Sequence, residues 1–122
     1  MVNNQTHLDA VFSALADPTR RAILERLAKR RLTVGEIAGG FPISQPAISK
    51  HVKILEEAGL LNREVVGRVH RCMLDPKAMS AATSWMDRQR RYWNAALDRL
   101  SDYLEKSNSE DTTTRGARRN DD

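Results

Sequence analysis

The stretch SQPAISKHVKILEEAGL, residues 44–60, decides the fold. Ser44-Gln45-Pro46 opens a helix, and Ala58-Gly59 ends it with glycine just past the last turn. At about 100° per residue, Ile48, Val52 and Leu55 fall in a narrow arc that must face a core. Pro46, Ser49, Lys50 and Lys53 lie on the opposite side, with Gln45 exposed in the first turn and a single acid, Glu57, at the far end. Slim side chains, an amide, a hydroxyl and cations are what a helix needs to enter the major groove of DNA. A solvated amphipathic helix has the same pattern, so this face alone leaves both readings open. His51 lies about 60° off the core axis and packs at the helix edge.

The neighbours of this helix narrow the choice. Upstream, Thr33 with Glu36 forms a capping box for a short helix that stops at Gly39-Gly40, so the two helices are joined by a tight turn. Earlier still, Asp17-Pro18 opens a helix with Ile23, Leu24 and Leu27 as its apolar stripe. Thr6 to Asp9 reads as a capping box for a first helix carrying Leu8, Val11, Phe12 and Leu15. Downstream the period changes. Leu61 to Val66 and Val69 to Leu74 are two runs rich in β-branched residues, and Gly67-Arg68 between them suits a type II′ hairpin turn. The hairpin carries Arg63, Arg68, His70 and Arg71 against one acid, Glu64. A basic ribbon beside a helix-turn-helix can reach phosphates or the minor groove.

The composition is compatible with that reading. The 122 residues are 40% hydrophobic and 30% charged, enough for one modest core, with a net charge of +4. The last 16 residues, 107–122, hold three arginines against four acids and no Leu, Ile, Val, Phe or Met, so a disordered tail is expected there. The remaining 106 residues therefore concentrate the positive charge, which permits a polyanionic partner. The longest uncharged run, 37–49, contains two glycines and two prolines and is too short to span a bilayer, so no membrane partner is expected. The opening residues lack the pattern of a secretory signal. A single cysteine, Cys72, excludes an internal disulfide, and a reducing cytoplasmic location fits.

After Asp75-Pro76 a helical pattern runs to about Lys106. Met86, Trp93, Leu97, Leu100 and Leu104 line one stripe, and Trp85, Tyr92, Ala96 and Tyr103 line a second about 100° away. One stripe attaches a helix to its own domain; the second predicts another subunit. The expected interface is an isologous homodimer built from Leu8, Phe12, Trp85, Tyr92, Ala96 and Tyr103.

The segments LADPTRRAILERL (15–27), LTVGEIAGGFPISQPAISKHVKILEEAGLL (32–61) and REVVGRVHRCML (63–74) resemble the ArsR/SmtB family of winged-helix transcriptional regulators. The resemblance spans roughly residues 7–104. It implies a homodimeric repressor of operator DNA, released by a small signal. Gln45, Pro46, Ser49, Lys50 and Lys53 occupy the positions of the family's recognition-helix contacts, and Arg68 that of its wing tip. The family's metal boxes are missing: the third helix has no Cys-x-Cys, and residues 76–106 contain neither His nor Cys. No metal site and no cofactor are therefore expected, and the inducing ligand stays open.

The expected fold is mainly α with a β-hairpin wing (α+β). It is a winged helix-turn-helix with a long C-terminal dimerisation helix over 1–106, followed by the tail 107–122. The expected function is a sequence-specific, double-stranded-DNA-binding regulator and not an enzyme, because no phosphate loop, nucleophile elbow or paired catalytic motif occurs. A winged-helix protein-interaction adaptor, or a metal or redox sensor with a non-standard site, is the alternative. Arg20 and Arg21 suit either DNA backbone contact or structural pairing at the second helix. Cys72, beside Arg71, is either a small apolar strand residue or a thiol of lowered pKa.

Overall fold

Side-chain caps decide where the helices begin. In a computed structural model describing the backbone of residues 4–120 and the side chains of 7–109, α1 covers Asn4–Leu15 and α2 Pro18–Leu27. Asp17 caps α2 by accepting the Arg20 N–H at 3.0 Å, with Pro18 in the first turn. That donated hydrogen bond is the main cause holding the Asp17 carboxyl below its ordinary range. The capping box of α3 (Val34–Ala38) closes in both directions: Glu36 N–H donates to Thr33 Oγ1 at 3.1 Å, and Thr33 N–H to Glu36 Oε1 at 3.0 Å. The Thr33 N–H, followed by its side chain, holds Glu36 below the usual carboxylate range. Ser44 Oγ accepts from Ala47 N–H at 3.3 Å to open α4, Gln45–Glu57.

The end of α4 shows why Gly59 is needed. The Gly59 N–H donates to Glu56 O and the Leu60 N–H to Leu55 O, a closure that places Gly59 at φ +78°. Leu60 is thereby turned into the core.

Strands β2 (Leu61–Val66) and β3 (Val69–Leu74) have the bounds expected from the sequence. Gly67 sits at φ +62° and no non-glycine has positive φ among the described residues, as a type II′ turn requires. One element was not foreseen. Leu32–Thr33 forms a two-residue strand, β1, giving a three-stranded antiparallel sheet of order β1-β3-β2. Leu32 opposes Cys72, and both are buried.

The core joins Val11 and Ala14 of α1, Ile23 and Leu27 of α2, Ile37 of α3, and Ile48, Val52 and Leu55 of α4 with Leu32, Leu61 and Cys72 of the sheet. Ala78 and Ala82 of α5 (Pro76–Asn120) complete it. The three residues assigned to the core face of the fourth helix are all fully buried.

Two expected boundaries need correction. The first helix begins at Asn4, so Thr6, read as its cap, lies inside it; the Thr6 side chain is outside the described ones. The last helix continues past Lys106 to Asn120. Most of the tail reading, 107–122, falls on side chains outside those described. The chain divides into residues 1–84 and 85–122. In the second unit Tyr92, Trp93, Leu97, Leu100, Tyr103 and Leu104 are all exposed.

Candidate nucleic-acid interface

Helix α4 presents Gln45, Pro46, Lys50 and Lys53 to solvent, with Ser49 half-buried behind them. Gln45 and Ser49 line a trough of about 410 Å³ together with Thr33, Val34 and Gly35 from the start of α3 and Arg63, Arg68, Val69 and His70 from the sheet. The trough thus brings an amide, hydroxyls, an imidazole and two guanidinium groups onto one concave surface.

The pleat divides the four basic wing residues. Facing pairs in an antiparallel ladder share a side of the sheet. Arg63↔Cys72 and Val65↔His70 therefore lie on the core side, whereas Glu64↔Arg71 and Val66↔Val69 lie on the outer one. Arg71 is exposed there, beside Glu64. Arg68, in the turn, is exposed.

Arg63 is half-buried and tied to its neighbours. Its Nη1 is 3.3 Å from His70 Nδ1. Its buried Nε is 3.4 Å from Glu56 Oε2, within ion-pair range but without hydrogen-bond geometry. Arg63 thereby ties the wing to the end of α4, and the sequence gives no sign of this because Glu56 and Arg63 belong to different elements.

Arg20 and Arg21 are committed to structure. Arg20 Nε donates to Ala14 O at 2.7 Å and Nη2 to Ser13 O at 3.1 Å, while Arg21 Nη1 donates to Leu15 O at 2.8 Å. Both satisfy the last carbonyls of α1, where cations are also favoured by the helix dipole. Arg20 Nη1 reaches His51 Nδ1 at 3.3 Å, and His51 Nδ1 lies 3.9 Å from Asp17 Oδ2. His51 packs at the edge of α4, as its angular position implies. Cys72 is fully buried, and burial pushes its thiol up despite the nearby Arg63. The thiol of lowered pKa is thus corrected: Arg71, the neighbour invoked for it, points to the other face of the sheet.

The expected interface residues differ among themselves. Leu8 and Phe12 are half-buried and pack against the core of residues 1–84. Ala96 is half-buried, and Trp85, Tyr92 and Tyr103 are exposed, Tyr92 by 72% and Tyr103 by 70%. Among the described residues no group of three His, Cys, Asp or Glu side chains is placed to hold a metal ion. None of their helices is long and apolar enough to cross a membrane.

A helix of this character set beside a basic hairpin defines a winged helix-turn-helix regulator. A helix-turn-helix domain family matches residues 15–64. The chain is 40% identical over 104 residues to the HTH-type transcriptional regulator Rv2034 of Mycobacterium tuberculosis, an alignment covering 85% of this chain and 94% of that protein. It is 37% identical over 79 residues to the transcriptional repressor SdpR of Bacillus subtilis, covering 65% of this chain and 88% of SdpR. The crystal structure of an ArsR family transcriptional regulator is similar with a TM-score of 0.70 at 36% identity, over 77% of this chain and 97% of that one. The chain belongs to the ArsR/SmtB family of winged helix-turn-helix, DNA-binding transcriptional regulators.

Proposed function

We propose that the protein is a homodimeric repressor that binds a two-fold symmetric operator in double-stranded DNA. The observation that carries this reading is the shared trough: Gln45 and Ser49 of α4 and Arg68 of the wing line one concave surface, flanked by the exposed Lys50 and Lys53. In this reading Gln45 and Ser49 meet base edges in the major groove, Pro46 permits close approach, and Lys50 and Lys53 neutralise phosphates. Arg68 reaches the adjacent minor groove or backbone. Arg63 and His70 act mainly by bracing the wing, and Arg71 meets a more distant phosphate.

Repression is supported by the likeness to SdpR, which is named a repressor. Dimerisation is supported by the exposed Tyr92, Trp93 and Tyr103, aromatic area that is costly to leave in water. In this reading Trp85 and Ala96 of α5, and Leu8 and Phe12 of α1, also meet the second copy. The protein acts by binding rather than catalysis, in the cytoplasm and without a metal or cofactor. The tail 107–122 is dispensable for both dimerisation and DNA binding.

Selection from a random duplex pool followed by fluorescence anisotropy tests the assignment. The expected result is an enriched site with two half-sites about one helical turn apart, centre to centre. Replacing both Lys50 and Lys53 by alanine should weaken it at least tenfold at physiological salt. Enriched sites without two-fold symmetry, or wild-type affinity in the double variant, would overturn the reading.

A further inference from the structure

We propose that the cavity where β3 passes into α5 binds a small amphipathic amine: an apolar body about the size of one substituted aromatic ring, carrying a single protonated amino group. The cavity measures about 440 Å³, inside the roughly 300–1,000 Å³ range of small-molecule sites. Its walls are apolar and come from three directions: Leu24 of α2, Leu60 beyond α4, and Leu74 and Met79 at either side of the strand-to-helix corner. Leu74 stays 40% exposed although it lies on the core side of the sheet, so the apolar wall is open to an occupant. Met79 adapts its shape readily, because its side chain is unbranched and soft.

The polar groups specify the charge. Asp75 stands half-buried in the lining and is pinned twice: its N–H donates to Leu60 O at 3.0 Å, and its Oδ1 accepts the Lys77 N–H at 3.1 Å. Its Oδ2 has no partner among the described residues, and no lysine or arginine side chain lines the cavity. A held carboxylate oxygen beside an apolar wall favours a cation that brings its own apolar body, and it repels an anion. Thr83 and its neighbouring serines on α5 add hydroxyls that can accept the remaining ammonium hydrogens. None of the lining residues belongs to the DNA-facing set, so this site and the operator surface stand or fall separately.

The test is a titration of the full-length, isotope-labelled protein with three matched probes: 2-phenylethylamine, 2-phenylethanol and 3-phenylpropanoate. The amine should shift the amide and methyl resonances of Leu24 and of residues 74–84 saturably, with a Kd below about 1 mM. The alcohol should bind at least tenfold more weakly and the carboxylate not at all. Asp75→Asn keeps the acceptor for Lys77 N–H and should reduce the amine to the affinity of the alcohol. Thr83→Trp, at an exposed helix position, fills the cavity and should abolish binding while the remaining resonances stay native. No saturable shift, or a carboxylate that binds as well as the amine, would overturn the proposal. So would lining resonances that move when the free protein is diluted through its dimer dissociation, since a second copy would then be the occupant.

Discussion

The Arg26 guanidinium of α2 donates to the Ile37 carbonyl of α3 at 2.9 Å and to the Glu36 carbonyl at 3.4 Å. It also lies 5.7 Å from the centre of the Phe41 ring, in the turn between α3 and α4. One side chain thereby satisfies the end of the first helix of the helix-turn-helix and covers the turn that aims the second. Gly40 makes room for it, because a Cβ at that position would overlap the guanidinium.

Removing Arg26 should therefore loosen the turn. A hydrogen bond from a charged donor contributes about 1.5–3 kcal/mol, and Arg26→Ala should lose stability in that range. Gly40→Ala should cost part of that by shifting the same guanidinium off Ile37, since the new Cβ meets only the end of a flexible side chain and the backbone is unstrained. The double variant should cost little more than Arg26→Ala alone, because Gly40→Ala acts only through the same guanidinium. Urea denaturation of the four proteins measures this. Additive losses would show that Gly40 and Arg26 act independently.

Operator recognition should separate by residue. If Gln45 reads a base edge, as proposed, Gln45→Ala should relax preference at one operator position and cost about 1–3 kcal/mol per half-site. Arg68→Ala should weaken all sequences alike and reduce the slope of log affinity against log salt by about one per subunit. Anisotropy titrations over a salt series, on the operator and single-base variants, distinguish the two. Equal effects of both substitutions on every sequence would contradict the division of roles.

Much of this surface was legible in residues 44–74. Ile48, Val52 and Leu55 share one side of α4, so the opposite side followed from periodicity. Gly67 sits where a two-residue turn needs positive φ, so the strand bounds followed from turn chemistry. β1 was hidden because two residues cannot display a period, and Leu32-Thr33 pairs only once β3 exists. Arg63 read as one more wing cation because its partners, Glu56 and His70, meet it only across the fold. The arginines after Asp17-Pro18 were ambiguous for a similar reason: the α1 carbonyls they bond leave no mark in composition. The amphipathic cavity was invisible, since Leu24, Leu60 and Leu74 are distant in sequence.

Acid should weaken the caps of α2 and α3. Asp17 is held below its ordinary range chiefly by the Arg20 N–H, and Glu36 chiefly by the Thr33 N–H. A carboxyl whose folded pKa is depressed stabilises the fold above its unfolded pKa and loses that contribution as pH falls through the folded value. The wild-type contribution should thus be complete above about pH 5 and fade through and below the usual carboxylate range near pH 4. Asp17→Asn and Glu36→Gln keep an acceptor for the capped N–H but not the charge. Their combination should be less stable than wild type at neutral pH, and the gap should close on acidification. A gap constant between pH 7 and pH 3 in thermal denaturation would contradict the cap assignment.

The aromatic residues of α5 should hold the dimer before DNA is met. Tyr92 and Tyr103 lie 72% and 70% exposed in the single chain, and Trp93 is exposed beside them. Burying such rings against a second copy gains from the area removed from water and from ring contacts, and a central interface aromatic typically contributes 2 kcal/mol or more. Tyr92→Ala should then raise the dimer dissociation constant by at least roughly 30-fold. Operator affinity should fall with it, because one half-site alone offers few contacts. Deleting 107–122 should change neither quantity, since that segment has no large apolar side chain to dock. Sedimentation equilibrium of the wild type, Tyr92→Ala and the shortened chain checks all three expectations. A wild-type chain that stays monomeric at micromolar concentration would remove the dimer, and with it the reason for a palindromic operator, because only a two-fold protein has two equivalent recognition helices to place.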